Sequence, residues 1–300
     1  MPTIDLRGKR ALVAGVADAG GFGFAIAKAL YECGAKVSVA SWPPAMGIFE
    51  KMWARGKFDE ARKLAPGHLA ETDMVEFEKI YPLDALYDSM EDVPEDVKSN
   101  KRYAERGDFT ISGLAENWKN DFGDASLDIL VHSLANGPEV HLDLIETSRK
   151  GYLAALSASS YSLVSMCNKL CPLMNQGGSV LSLSYLAAQQ VIHGYGGGMS
   201  TAKAALECDT RYLSYQLARR YGLRINAISA GPFASRAANA TGVIKEYIDH
   251  YKEHAPLREE LTQEEVANFA AFISSPLGSG MTGTVVMVDK GFHALGMSYG

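Results

Sequence analysis

The chain has 300 residues, 47% of them apolar and 21% charged, and a formal net charge of −6. That acidic balance excludes the basic surface field on which non-specific nucleic-acid binding depends, and no run reaches the roughly 18 consecutive apolar residues of a membrane helix. Length alone suggests about two domains, but α/β folds of this size form one domain around one sheet, so a single domain over residues 1–300 is expected.

The amino-terminal MPTIDLRGKRALVAG enters a buried strand within ten residues, which leaves no room for a leader. Apolar runs rich in β-branched residues at 10–15, 36–41, 80–84, 127–133, 178–184, 223–229 and 284–289 predict seven strands. They are continuous rather than alternating, as in a parallel sheet covered on both faces. Helical periodicity fills 23–33, 110–122, 150–171, 199–221 and 263–274. With right-handed crossovers the pattern predicts a Rossmann-like, doubly wound α/β fold with a seven-stranded parallel sheet, helices on both faces and a ligand crevice at the carboxyl ends of the strands.

Two long connections interrupt this plan. One spans 43–75, with a Pro43-Pro44 turn and short helices; the other, acidic, spans 84–108. Solvated surface insertions are the favoured reading of both, since loop insertions cost little. Cys33, Cys167, Cys171 and Cys208 show no metal-ligand spacing and read as reduced core residues.

After the first strand, GVADAGGFGFAIAKAL places Gly15, Gly20, Gly21 and Gly23 ahead of an apolar helix. A strand, a glycine-rich turn and a helix amino terminus present N–H groups and a positive dipole end to a pyrophosphate. Gly15, Gly21, Phe22 and Gly23 are therefore candidate dinucleotide-binding residues, although turn glycines are also common punctuation. The second strand ends Ser41-Trp42, with neither the acid that meets an adenosine ribose nor the base that meets a 2′-phosphate, so chemistry alone does not separate NADH from NADPH. Trp42 is equally placed to stack on adenine or to cap the sheet core. Asp84 closes the third strand, with Ala85 beside it, and either accepts from the adenine amino group or caps a turn.

Residues 182–213 carry the catalytic pattern. Lys203 falls early in a long helix at the carboxyl edge, where burying an ammonium is costly unless ribose hydroxyls engage it. Short-chain ketoreductases place tyrosine four residues before such a lysine; here that position is Met199, whose thioether cannot donate a proton. Tyr195 is the candidate donor, eight residues before Lys203, in a loop loosened by Gly196, Gly197 and Gly198. Tyr185 enters from the end of the fifth strand. Either tyrosine alone reads as a half-buried surface residue; their pairing around Met199 and Lys203 favours a site. A ketoreductase acting on 3-oxoacyl thioesters is one rival, opposed by Met199. A non-catalytic nucleotide sensor is another, opposed by the retained tyrosine and lysine.

The chain resembles the enoyl-acyl carrier protein reductases of type II fatty acid synthesis, in particular the plastid-type enzymes of plants and apicomplexan parasites. The likeness runs through AGVADAGGFGFAIAK, the WPP after strand two, NKRY at 100–103, LVHSLANGPEV at 130–140, TSRKGYLAAL at 147–156, YGGGMSTAKAALE at 195–207 and AISAGPFASRAA at 227–238. It implies Tyr195 as the donor facing an enolate, Lys203 on the nicotinamide ribose, and an acyl pocket lined by Tyr185, Met199, Ala234 and Ala237. It implies Ser133, Leu134 and Ala135 along the adenosine and nicotinamide ribose, Ala230, Gly231 and Pro232 beside the nicotinamide, and Trp42 near adenine. It further implies NADH as cofactor, an enoyl thioester on acyl carrier protein as partner, a homotetramer, and a plastid location as a mature chain without its transit peptide, with a bacterial cytoplasm as alternative. No nucleic-acid or membrane partner is expected. The chain departs from its relatives in carrying Phe22 and Phe24 where tyrosine and tryptophan are usual. Of the basic residues that meet the carrier in bacterial relatives, Lys245 has a counterpart, and Arg236, Lys252 and Arg258 are substitutes or solvated surface charge. Residues 233–256 are predicted to form a mobile lid over the pocket.

Overall fold

The computed structural model describes residues 4–235 and 244–296. Seven strands form one parallel sheet: β1 (Arg10–Ala14), β2 (Lys36–Ser41), β3 (Ile80–Pro82), β4 (Leu127–His132), β5 (Met174–Tyr185), β6 (Arg224–Ala230) and β7 (Val285–Val288), in the order β3-β2-β1-β4-β5-β6-β7. The predicted doubly wound α/β fold is the observed one. Strand order reverses between β1 and β4, which opens the crevice where such sheets bind ligands.

The continuous apolar runs have a direct cause: both faces of the strands are buried. Val13, Val39, Val131 and Ile228 turn to one side and pack with Phe24, Ile26 and Leu30 of α1 (Phe22–Glu32) and with Val266, Ala270 and Ile273 of the helix Gln263–Ser274. Leu12, Ala14, Leu130, Val180 and Ile225 turn to the other and meet Leu114 and Trp118, Leu163, and Leu206 and Leu213. Thr262 and Glu265 form a reciprocal cap at the start of the helix Gln263–Ser274.

Charged groups pin the sheet's amino edge. Asp128 accepts from the Arg10 amide at 2.9 Å and from Lys9 and Asn175 at 3.1 Å each, and Arg10 pairs with Glu78 at 2.8 Å. At the far end of that edge the Arg224 guanidinium has carbonyl partners: Ile273 at 2.9 Å and Gly278 at 2.8 Å, with Met281, Ser274 and Ser275 at 3.3–3.5 Å.

The structure corrects several boundaries. β5 starts at Met174, and its pairing with β4 is irregular between Leu127 and Ile129. The helix expected over 150–171 is two, Arg149–Leu156 and Ser162–Leu170, joined by a π-turn at Ser157–Tyr161. Cys167 and Cys171 are buried as expected, but Cys33 is only half-buried and Cys208 is exposed. The first long connection carries α2 (Pro43–Ala54) and a short helix, Asp59–Arg62. The second carries helices Glu95–Lys98 and Lys101–Ala104 and its own apolar cluster, in which Val93, Tyr103 and Phe109 are buried. It is therefore more than the solvated insertion expected. Among the described residues no helix is long and apolar enough to cross a membrane, and no group of three or more His, Cys, Asp or Glu is placed to hold a metal ion.

Candidate active site

The glycine turn closes on the segment after β4. Gly15 has φ +102°, and a Cβ there would stand 2.0 Å from the Ser133 carbonyl oxygen; one on Gly23 would stand 2.7 Å from the Gly15 carbonyl oxygen. Side chains are thus excluded from the floor of the crevice. Gly21 caps α1 and no side chain caps the helix's first turn, which leaves the positive end of the helix facing the cavity. Asp18, which sequence reasoning missed, accepts from the Gly20 amide at 2.9 Å and shapes this turn; an aspartate two residues ahead of Gly-Gly is the turn signal that marks it.

One cavity of about 510 Å³ joins this turn to the catalytic pattern. Its walls include Gly15, Gly21, Phe22, Gly23, Ser133, Leu134, Ala135, Tyr185, Tyr195, Met199, Lys203, Ala230, Gly231 and Pro232. Trp42, Asp84 and Ala85 are not in that lining. Trp42 is 52% exposed, which rules out the reading of its indole as a cap on the core, and its Nε1 donates to Asp84 at 3.1 Å. Asp84 also accepts from the Leu86 amide, so it does cap a turn. Ala234 is exposed and lies outside the lining; Ala237, like Arg236, lies outside the described residues.

The two tyrosines meet edge to face, with ring centroids 5.0 Å apart at 66°. Burial, with Tyr247 close by, pushes the Tyr195 phenol well above its usual value, and burial with Tyr251 beside it does the same for Tyr185. Both stay protonated at neutral pH and can donate. The Tyr185 hydroxyl is buried with Tyr251 beside it.

Met199 is buried, with its sulfur 3.7 Å from the Ser159 hydroxyl on the π-turn; such turns often mark functional sites. One helical turn on, in α9 (Met199–Tyr221; α3 to α8 are Asp59–Arg62, Glu95–Lys98, Lys101–Ala104, Ile111–Phe122, Arg149–Leu156 and Ser162–Leu170), Lys203 is 5% exposed and donates to the Leu183 carbonyl at 2.8 Å. Burial lowers it to about 8 against the pull of Glu207. Glu207, also missed, is held by Ser184 at 2.6 Å and Gln189 at 2.9 Å.

The loop before α9 is tight rather than loose, contrary to expectation. A Cβ on Gly196 would stand 1.9 Å from the Leu142 carbonyl oxygen, and one on Gly197 2.3 Å from the Glu139 carbonyl. Glycine serves close packing here, and that packing holds Tyr195 in place. Of the expected lid, residues 236–243 lie outside the described residues, and the helix Ile244–His254 contributes Ile244 and Tyr247 to the cavity wall. Its Tyr247 lines the cavity and donates to the His193 carbonyl at 2.5 Å, and its Tyr251 stacks on Phe292 at 3.8 Å. Tyr247 and Tyr251 stand four apart in the sequence, a helical signal that sequence reasoning passed over. Phe22 packs on Phe233 at 5.3 Å, so the ring that replaces a phenol gains a partner. Lys245, Lys252 and Arg258 are exposed.

Residues 105–293 match the family model described as enoyl-(acyl carrier protein) reductase. The chain belongs to that family. It is 56% identical over 295 residues to a chloroplastic NADH enoyl-acyl carrier protein reductase of Oryza sativa subsp. japonica, covering 98% of this chain and 78% of that one. It is 55% identical to the chloroplastic enzyme of Arabidopsis thaliana, covering 98% and 74%. Its structure matches that of the Plasmodium berghei enoyl-acyl-carrier-protein reductase with triclosan at a TM-score of 0.91 and 45% identity, over 96% of this chain and 98% of that one. An Anaplasma phagocytophilum reductase in complex with NAD matches at 0.75 and 27%, over 97% and 94%. Membership makes this chain an oxidoreductase on the short-chain dehydrogenase scaffold.

Proposed function

We propose that this chain, as one dinucleotide-binding domain, reduces the carbon–carbon double bond of enoyl thioesters on acyl carrier protein, the last reductive step of fatty acid elongation. NADH supplies the hydride to the β-carbon when bound. The floor at Gly15 and Gly23, where no Cβ fits, the uncapped start of α1 and the buried Lys203 ammonium all fit a dinucleotide. Lys203 would hold the nicotinamide ribose, Ser133, Leu134 and Ala135 the adenosine and ribose side, and Ala230, Gly231 and Pro232 the nicotinamide. Trp42 and Asp84 stand at the ends of β2 and β3, where adenosine lies in such folds.

The observation that carries this reading is the pair of protonated phenols, Tyr185 and Tyr195, in one cavity with Lys203 and with Met199 where a ketoreductase has its tyrosine. Loss of the double bond leaves negative charge on the thioester oxygen. Tyr195 donates a hydrogen bond to that oxygen, Lys203 supplies positive charge nearby, and Tyr185 and Met199 shape the acyl wall. Supplying NADH with a crotonyl thioester and then with an acetoacetyl thioester tests it: cofactor oxidation is expected with the first and not the second. The reverse would make the chain a ketoreductase.

The names of the plant relatives support NADH as the cofactor, an acyl carrier partner and a plastid location. A homotetramer is supported by large apolar side chains that this chain leaves uncovered, among them Leu153, Tyr161, Tyr212 and Tyr215, exposed by 52–70%. Light scattering on the purified chain should give four copies; a monomer would end that part of the proposal.

A further inference from the structure

Three donors converge on Asp84. Trp42 Nε1 at 3.1 Å and the Tyr103 hydroxyl at 2.8 Å share Oδ2, and the Leu86 amide reaches Oδ1 at 3.1 Å. Asp84 and Tyr103 are buried, whereas the indole is half exposed. Two members of the network are thus internal supports, and the third presents a flat aromatic face to the outside. Burial and the hydrogen bond to Asp84 push the Tyr103 phenol well up, so it remains a donor.

Tyr103 comes from the helix Lys101–Ala104, inside the excursion over 84–108, where its ring packs edge-on against Phe109 at 4.8 Å. Three residues on, Arg106 pairs with Glu50 of α2 at 2.9 and 3.1 Å. Gly47 leaves room for that guanidinium: a Cβ there would stand 3.0 Å from Nη2. Trp42 is the residue that caps the start of α2. The excursion is therefore fastened to Trp42 twice, through the Asp84 carboxylate and through the helix that Trp42 begins.

An aromatic face at the end of β2 is useful to an adenosine only if its tilt is fixed, because a ring that must be ordered on binding loses affinity to that ordering. We propose that Tyr103 is a positioning residue for the adenosine half of the dinucleotide: its hydroxyl fixes Asp84, Asp84 fixes the Trp42 indole, and the Arg106–Glu50 pair holds the excursion in place. This rests on the reading of Trp42 as an adenosine-facing surface.

The test uses the full chain and two truncated ligands. ADP-ribose carries the adenosine half without the nicotinamide, and its affinity is read by calorimetry; reduced nicotinamide mononucleotide carries the ring without the adenosine, and is compared with NADH as hydride donor to a crotonyl thioester. Tyr103→Phe should raise the Kd for ADP-ribose about fivefold, the effect of losing one ordinary hydrogen bond. Its kcat/KM with NADH should fall in step while that with the mononucleotide stays within about twofold. Arg106→Gln should show a smaller change with the same ligand dependence, and it carries the test if Tyr103→Phe does not fold. Equal losses with both hydride donors would mean general damage and would overturn the proposal. Trp42→Phe separates the two layers. If it weakens ADP-ribose and Tyr103→Phe does not, the positioning role fails and the reading of Trp42 stands; if it changes nothing, both fall.

Discussion

The turn from Gly15 to Gly23 and the turn from Gly194 to Gly198 both close on the segment that follows β4, one against Ser133 and the other against Glu139 and Leu142. At Gly15 and Gly23 in the first, and at Gly196 and Gly197 in the second, glycine is required because neighbouring backbone occupies the place of a Cβ. What they present differs. The first offers main-chain N–H groups and the end of a helix dipole, for which the residue types matter little once side chains are absent. The second offers one side chain, Tyr195, whose aim depends on everything that holds the loop. A run of glycines beside a functional residue is therefore no sign of looseness: here it lets two backbone segments lock together.

The sharpest way to break this contrast is to remove what the second turn presents. Tyr195→Phe keeps the ring and the packing but loses the donor, and turnover of a crotonyl thioester should fall by about 10²–10³, as for other oxyanion donors, with NADH affinity within about twofold. Unchanged turnover would show that the phenol is not the donor. Next in size, Gly15→Ala should weaken NADH about tenfold or more while Gly196→Ala should lower kcat about tenfold at nearly constant NADH affinity, and each should cost about 1–3 kcal/mol of stability through overpacking. If both variants lost cofactor affinity alike, the two turns would not divide the work as described.

A smaller effect concerns charge. Because burial lowers Lys203 from 10.5 to about 8, the unfolded chain binds the extra proton between those values and the folded one does not. The contribution of Lys203 to the stability of the cofactor-free chain should therefore rise as pH climbs from about 8 to 10.5, by an order of 1–3 kcal/mol, while the Cys33 thiol, which burial pushes up to about 11, works in the opposite direction. Chemical denaturation across that window should show the stability of the parent gaining on that of Lys203→Met as pH rises; parallel curves would sink it. Gly280→Ala should change least, within about 0.5 kcal/mol, since no atom lies within 4 Å of the added Cβ.

Features encoded by local residue type could be read in advance. The strands announced themselves because helices bury both their faces, and Lys203 stood out because an ammonium at a sheet edge demands a partner. The early start of β5 was hidden, since Met174–Gly178 lacks β-branched residues. So was the π-turn, whose Ser157–Tyr161 sits between two stretches of proper helical period. In the site, what stayed out of reach was long-range: Tyr247 matters because its helix folds back onto His193, 54 residues away, and Glu207 because Ser184 and Gln189 meet it from β5 and the loop beyond. Tyr103 reads as an ordinary aromatic until its hydroxyl is seen on Asp84.

The ring of carbonyls around Arg224 has a consequence for how the molecule fails. Those partners carry no net charge to screen, so concentrated salt does little to the contacts of Arg224 with the end of the helix Gln263–Ser274. At β1 the corresponding contacts run through the charged carboxylates of Asp128 and Glu78. Concentrated salt should thus loosen the joint at the amino-terminal strand before the one at β6.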